Sequence, residues 1–308
     1  MKKLLLPLLL ILFILPSFSA NKWTTYKIEE GYSPKNDIYS ICFDKQGNLW
    51  AGTNYGVYKK EAGKWTAQGV ENIYVQSLYI DYNGTKWAGL YGGGVYKSLA
   101  GGKWENVKDA SPTNSVNVIS ADNKGNTWVG DCAGGAINYD GKHWISYKAD
   151  KVKLGDNSVT SIACDTKDNM WFGTYHGVSK LGNGTWTLFN KENSKLPVND
   201  VYSLAADSKG NIWIGTCNGL AKLSANTWTI YKKENSGLVD NLILSLAEDS
   251  FGNIWVGTNK GVSVFDGSKW KTYTAENSKL IHNRVQTIKA WNKKVYIGTT
   301  KGISVFEK

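Results

Sequence analysis

Apolar residues along the chain fall in short alternating runs bounded by turn residues, which is the pattern of strands rather than of helices. Residues 200–232 show it plainly: "DVYSLAAD", "NIWIGT", "GLAKLS" and "TWTIYK" are four runs with strand chemistry, separated by "DSKGN" and "CNG", turns that favour hairpins. The phrase "GNIWIGTCNGLAKLSANTWTIY" at 210–231 returns as "GNIWVGTNKGVSVFDGSKWKTY" at 252–273, so the pattern is a repeat. Its first tryptophan recurs as Trp50, Trp87, Trp128, Trp171, Trp213 and Trp255, with Tyr296 in a seventh copy, at spacings of 37 to 43 residues. Its second recurs as Trp65, Trp104, Trp144, Trp186, Trp228 and Trp270. The seventh copy stops at "GISVFEK", and the missing run stands at the other end, where "NKWTTYKIEEG" around Trp23 matches "SKWKTYTAENS" after Trp270.

Four antiparallel strands per copy make one propeller blade. The expected fold is all-β: a seven-bladed β-propeller of four-stranded blades over residues 21–308, with the N-terminal strand closing blade 7 so that no terminal edge is left unpaired. Thirteen of the fourteen tryptophans fill repeat slots and only Trp291 falls outside them. Each buries roughly 200 Å² in a core, and they are expected to be the packing between blades.

The start of the chain changes the compartment. "MKK", then "LLLPLLLILFIL", then "PSFSA" reads as a signal peptide over residues 1–20. The apolar run is short for a membrane span, and nothing later is long and apolar enough to be one, so an exported protein, periplasmic or extracellular, is expected. Export permits disulfides, but Cys132 and Cys217 occupy the same slot of blades 3 and 5, and Cys42 and Cys164 lie in inner strands of blades 1 and 4. Free thiols are expected, with Cys132–Cys164 the one pairing left open. The net charge of +10, or +8 once Lys2 and Lys3 leave with the leader, does not point to nucleic acid: the lysines are spread over every blade and Arg284 is the only arginine.

The segment "NSVTSIACDTKDNMWFGTYHGVSKL", from Asn157 to Leu181, resembles the two-component regulator propeller repeat: a valine-led strand, Asp, a turn, then Trp-aliphatic-Gly-Thr and a further glycine. Six copies hold the Asp (Asp44, Asp81, Asp122, Asp165, Asp207, Asp249), and all seven hold the glycine two after the aromatic. The resemblance covers essentially all of 21–308. It implies an exported sensor-type propeller, of the kind that stands in front of bacterial hybrid histidine kinases and in several cases resembles receptors for oligosaccharides. The chain shows no kinase or transmembrane helix beside the propeller, so a separate sensor kinase is the partner the resemblance suggests.

Strand order places the turns between second and third strands, and the connections between blades, on one face. Candidate ligand contacts there are Tyr55, Tyr91, Tyr175, His176, Asn218 and Lys260, with Asp131 in blade 3, where the usual threonine is lost and the turn lengthens to "DCAGGA". Tyrosine offers a flat face that stacks on sugars. The residues opening the inner strands, Asp37, Tyr74, Ser115, Ser158, Asp200, Leu242 and Arg284, are expected at the mouth of the channel. Arg284 is a candidate clamp for a carboxylate, or alternatively a partner for Asp37 on the adjacent blade. The turns "DKQGN", "DNKGN" and "DSKGN" lack the further carboxylates of a calcium loop, so their Asp is expected to close the turn through backbone amides.

No metal, no cofactor and no catalytic residue is expected. The reading is a monomeric recognition propeller that binds a glycan or an envelope protein through its loop face. Two alternatives stay open: a lyase or hydrolase using His176, His282, Asp131 and Arg284 at the channel mouth, and a structural ring that docks a protein.

Overall fold

The computed structural model describes residues 22–98 and 102–308, so the expected leader at 1–20 lies outside the described residues. Seven four-stranded antiparallel sheets are arranged as blades, each in plain meander order. Blade 1 runs Ile38–Phe43, Leu49–Thr53, Gly56–Glu61 and Lys64–Ala67. Blade 7 is the exception in connectivity: Val285–Trp291, Lys294–Thr299 and Gly302–Glu307 are completed by Lys22–Tyr26. Trp23 pairs with Phe306, and so shares the sheet that holds Tyr296, as expected for ring closure. The first strand of every blade touches the first strands of both neighbours, so these seven strands surround the central channel.

The blades are held to one another by seven apolar clusters, one at each interface. Trp213 and Trp255 are among the largest fully buried side chains. A buried indole needs an acceptor for its N–H, and the repeat supplies one six residues earlier. Trp50, Trp171, Trp213 and Trp255 donate to Asp44, Asp165, Asp207 and Asp249 at 2.8–2.9 Å. The same carboxylate closes the preceding turn, Asp207 accepting from the amides of Lys209 and Asn211 and from the Asn211 side chain. The Asp of these turns therefore does what its sequence suggests and also anchors the core tryptophan.

The glycine common to all seven copies has a steric cause. A Cβ built on Gly52, Gly89, Gly130, Gly173, Gly215, Gly257 or Gly298 falls within 2.9 Å of the β-branched residue that opens the next blade: Val75, Val116, Val159, Val201, Ile243, Val285 and Ile38 in turn. These contacts run once around the ring and return to its start.

Trp291, outside the repeat pattern, stacks on Phe43 across the seam between blades 7 and 1, with ring centroids 5.1 Å apart and planes 8° from parallel. All four cysteines are free thiols. Among the described residues no helix is long and apolar enough to cross a membrane.

Candidate functional site

Each inner strand opens on a β-branched residue, and its pairing register slips immediately afterwards, in all seven blades. The extra residue of each bulge is Tyr39, Gln76, Asn117, Thr160, Tyr202, Leu244 or Gln286. A bulge re-aims a side chain, and here all seven line one cavity of ≈ 250 Å³ together with Tyr74, Tyr175 and Arg284. The sequence does carry a sign of this. Apolar residues recur three apart at the start of each inner strand, as in Val201/Leu204 and Ile243/Leu246, a separation that puts them on opposite faces of a regular strand. With the bulge between them, both reach the same interface cluster.

The bulge residues also tie blades together. Asn117 Nδ2 donates to the Val159 carbonyl (3.0 Å), and Thr160 Oγ1 lies 2.7 Å from the Val201 carbonyl. Gln286 Nε2 reaches Asp37 Oδ1 (2.8 Å) and the Ile38 carbonyl (3.0 Å), while the Tyr39 hydroxyl donates to Asp37 Oδ2 (2.9 Å). Asp37 is thus engaged by Gln286 and Tyr39, and the alternative pairing of Arg284 with Asp37 does not form. Among the described residues Arg284 makes no ion pair.

Two groups of tyrosines frame the mouth. Tyr39 and Tyr74 pack with centroids 4.2 Å apart, and the exposed Tyr91 lies 6.0 Å from Tyr74. From blades 4 and 5, Tyr175 meets Tyr202 edge-on at 6.1 Å. Burial raises the Tyr39 phenol and the charge of Asp37 adds to it; Tyr74 is raised too, by burial first, then by Tyr39 and Asp37, with Arg284 opposing. Both phenols are therefore neutral donors at physiological pH.

The residues singled out in the sequence are distributed unevenly. Tyr175 and Arg284 line the mouth and Tyr91 flanks it through Tyr74. Tyr55 is exposed on blade 1, with the Lys35 ammonium 5.8 Å from its ring, outside the cavity lining. Asn218 and Lys260 sit in turns where their amides donate to Thr216 and Thr258, again outside that lining. The threonine of this slot bonds a glycine carbonyl and the amide two residues on, clamping the turn.

Asp131 does not face the loop surface. It is fully buried and accepts hydrogen bonds from the Ser111 and Thr113 hydroxyls and from the amides of Ala133 (3.0 Å) and Gly134 (2.7 Å). It replaces the missing threonine as the clamp of a longer turn, which leaves its carboxylate no free oxygen for a ligand.

His176 Nδ1 lies 2.6 Å from Asp156 Oδ2. His282 Nδ1 accepts the Arg284 amide (3.2 Å) and meets the Thr300 hydroxyl (2.9 Å); burial, then Lys301 and Arg284, push its pKa down, so the ring is neutral. Of the four residues in the enzymatic reading, only Arg284 lines the mouth.

The model of the family described as "two component regulator propeller" matches four segments, residues 32–55, 153–176, 195–218 and 237–260. Each begins in the connection to a blade and ends in the turn after its second strand. A similar solved structure is the extracellular domain assigned to the hybrid two component system BT3049 of B. thetaiotaomicron, at 26% identity and TM-score 0.80, covering 94% of this chain and 41% of that one. The extracellular domain of BT4673 from the same organism, at 22% identity and TM-score 0.77, covers 93% and 40%. Virginiamycin B lyase from Staphylococcus aureus shares the fold at 12% identity and TM-score 0.76, covering 94% of this chain and all of the lyase. The chain spans about two fifths of the length of the two extracellular domains. No curated protein matches the sequence at a significant level. The bulged inner strand, the Asp-anchored tryptophan and the threonine clamp occur together in blades 1, 4, 5 and 6, the four that the model matches, and the chain carries two component regulator propeller repeats in those four blades of its ring.

Proposed function

We propose that this propeller is an exported recognition module that binds an oligosaccharide across its channel mouth. The observation that carries the reading is the combination lining that mouth: tyrosine faces from blades 1–2 and from blades 4–5, amide and hydroxyl groups between them, and an arginine without a carboxylate partner. The apolar C–H face of a sugar ring packs on an aromatic face, and its hydroxyls pair with side chains such as Gln76, Asn117 and Thr160. Arg284 suits a carboxylate or sulfate on that glycan, because its planar fork makes two parallel bonds to such a group. Likeness to an extracellular domain of a two component system supports recognition rather than turnover, and a separate sensor kinase fits as the recipient of the signal.

The test is a glycan array and a thermal-shift titration on the mature chain, beside the Tyr91→Ala/Tyr175→Ala double variant and Arg284→Gln. A bound glycan raises the wild-type Tm by mass action. The double variant weakens binding by at least tenfold, and Arg284→Gln removes the preference for acidic over neutral sugars. Failure of every glycan to shift the Tm, or equal binding by the double variant, overturns the reading and points to a protein ligand for this face.

A further inference from the structure

The seam between blades 6 and 7 holds a second cavity, of ≈ 360 Å³, whose lining residues are all different from those of the channel mouth. Trp255, Val264, Tyr273 and Phe306 form its apolar floor, all buried, with the Trp255 and Tyr273 rings stacked, their centroids 6.0 Å apart and their planes 9° from parallel. Lys269, Lys271 and Lys308 stand at its rim, exposed and in no ion pair among the described residues. Two carboxylates also border it, but both are engaged locally. Asp249 accepts from Phe251, Asn253 and Trp255, and Asp266 from Ser268 and Lys269. The rim therefore has three cations without a carboxylate partner over an apolar floor, with the Lys271 ammonium 5.0 Å from the Tyr273 ring and that of Lys308 4.8 Å from the Phe251 ring.

The repeat supplies an internal comparison. A groove of similar size, ≈ 340 Å³, lies between blades 4 and 5, and its lining is more polar, with Asn169, Asn193, Asn226 and Lys180. In blades 1, 4 and 5 the residue opposite the core tryptophan is a lysine, Lys59, Lys180 or Lys222, whose ammonium lies over the indole at 5.2–5.7 Å. In blade 6 that position is Val264. The outer tryptophan is flanked by threonines in blade 4 (Thr185, Thr187) and blade 5 (Thr227, Thr229), and by lysines in blade 6 (Lys269, Lys271). One seam has therefore exchanged the cation over its core tryptophan for an apolar residue and placed cations around its edge.

We infer that the blade 6–7 seam is a binding site for a small amphiphilic anion, an aromatic or short aliphatic group that enters the groove and carries one sulfonate, carboxylate or phosphate toward Lys269, Lys271 and Lys308. The volume falls in the range of small-molecule sites, and the arrangement places apolar atoms on the aromatic floor while leaving the charge at the wet rim, where it costs little desolvation.

Two probes of nearly the same shape test it on the mature protein: 8-anilinonaphthalene-1-sulfonate, and the uncharged N-phenyl-1-naphthylamine. The wild type binds the sulfonate saturably at one site, seen as fluorescence enhancement. Lys269→Thr/Lys271→Thr gives blade 6 the residues that blades 4 and 5 already carry, so the fold is kept; it weakens the sulfonate at least tenfold and leaves the neutral probe within twofold. Val264→Asn, a residue this slot already accommodates as Asn138 opposite Trp128, weakens both probes. Unchanged sulfonate affinity in the lysine variant, or unchanged affinity for both probes in Val264→Asn, overturns the proposal. Tyr91→Ala/Tyr175→Ala leaves both probes unaffected, which separates this site from the channel mouth; loss of probe binding in that variant overturns it as well.

Discussion

A methyl group added at Gly215 falls 2.6 Å from Ile243 Cγ2, on the side chain that opens the next blade. Neither neighbour has room to yield in a close-packed seam, so Gly215→Ala is expected to lower stability by about 1–3 kcal/mol in urea denaturation. The turn aspartates make a second residue-scale prediction. Burial alone raises the carboxyls of Asp44, Asp165 and Asp207, but the hydrogen bonds from the core indoles and turn amides and side chains outweigh it and hold all three below the usual carboxylate range. A depressed folded-state pKa contributes stability that is present above the unfolded value, near 4, and lost as pH falls through the folded value. Thermal melts are therefore expected to show a plateau toward neutral pH and a fall in Tm below about pH 4, and Asp207→Ala to flatten part of that fall. Burial pushes the Cys42 thiol up to about 12; it is expected to resist thiol reagents at pH 8 until the chain unfolds.

At the scale of the strand, Lys22–Tyr26 is attached to its blade by pairing with Gly302–Glu307 and by Trp23, which packs edge-on against both Tyr273 and Phe306 at 5.2 Å. Trp23→Ala is expected to cost roughly 2–4 kcal/mol, less than a fully buried tryptophan because Trp23 is half-buried, and hydrogen exchange should show the loss first in Gly302–Glu307. This strand was legible from "NKWTTY" alone, because its match to "SKWKTY" fixed both its length and its place in the ring. The blade count and the indole slots were legible for the same reason, since a seven-fold pattern averages out local irregularity. The channel lining left only a trace. Val201 and Leu204 stand three apart in Val-Tyr-Ser-Leu, out of step with a regular strand, but the one-residue slip that turns Tyr202 into the channel is decided by what those two residues both bury against. Asp131 was misplaced for a related reason: its partners, Ser111 and Thr113, come from the connection between blades, a contact that loop composition does not reveal.

For the molecule as a whole, seven interfaces arranged in a circle mean that no blade is terminal. A chain beginning after Tyr26 exposes Gly302–Glu307 as an unpaired edge, and such edges recruit other chains. That truncation is expected to elute as dimers and larger species in size-exclusion chromatography and to melt over a broader range, while a chain that keeps Lys22–Tyr26 melts in one sharp transition. The ring also keeps the two proposed sites apart, the channel mouth formed by the bulges of all seven blades and the seam groove formed by two.

The closure of blade 7 has a consequence for the order of events in folding. Its outermost strand, Lys22–Tyr26, is synthesised long before Gly302–Glu307, with which it pairs, so the contact that completes the circle spans the six intervening blades. Contacts that distant form late. Blades 1 to 6 are built from neighbouring segments and have no such delay, so the rate-limiting step of folding is expected to be the docking of Lys22–Tyr26, and the nascent chain remains an open arc until Glu307 has arrived.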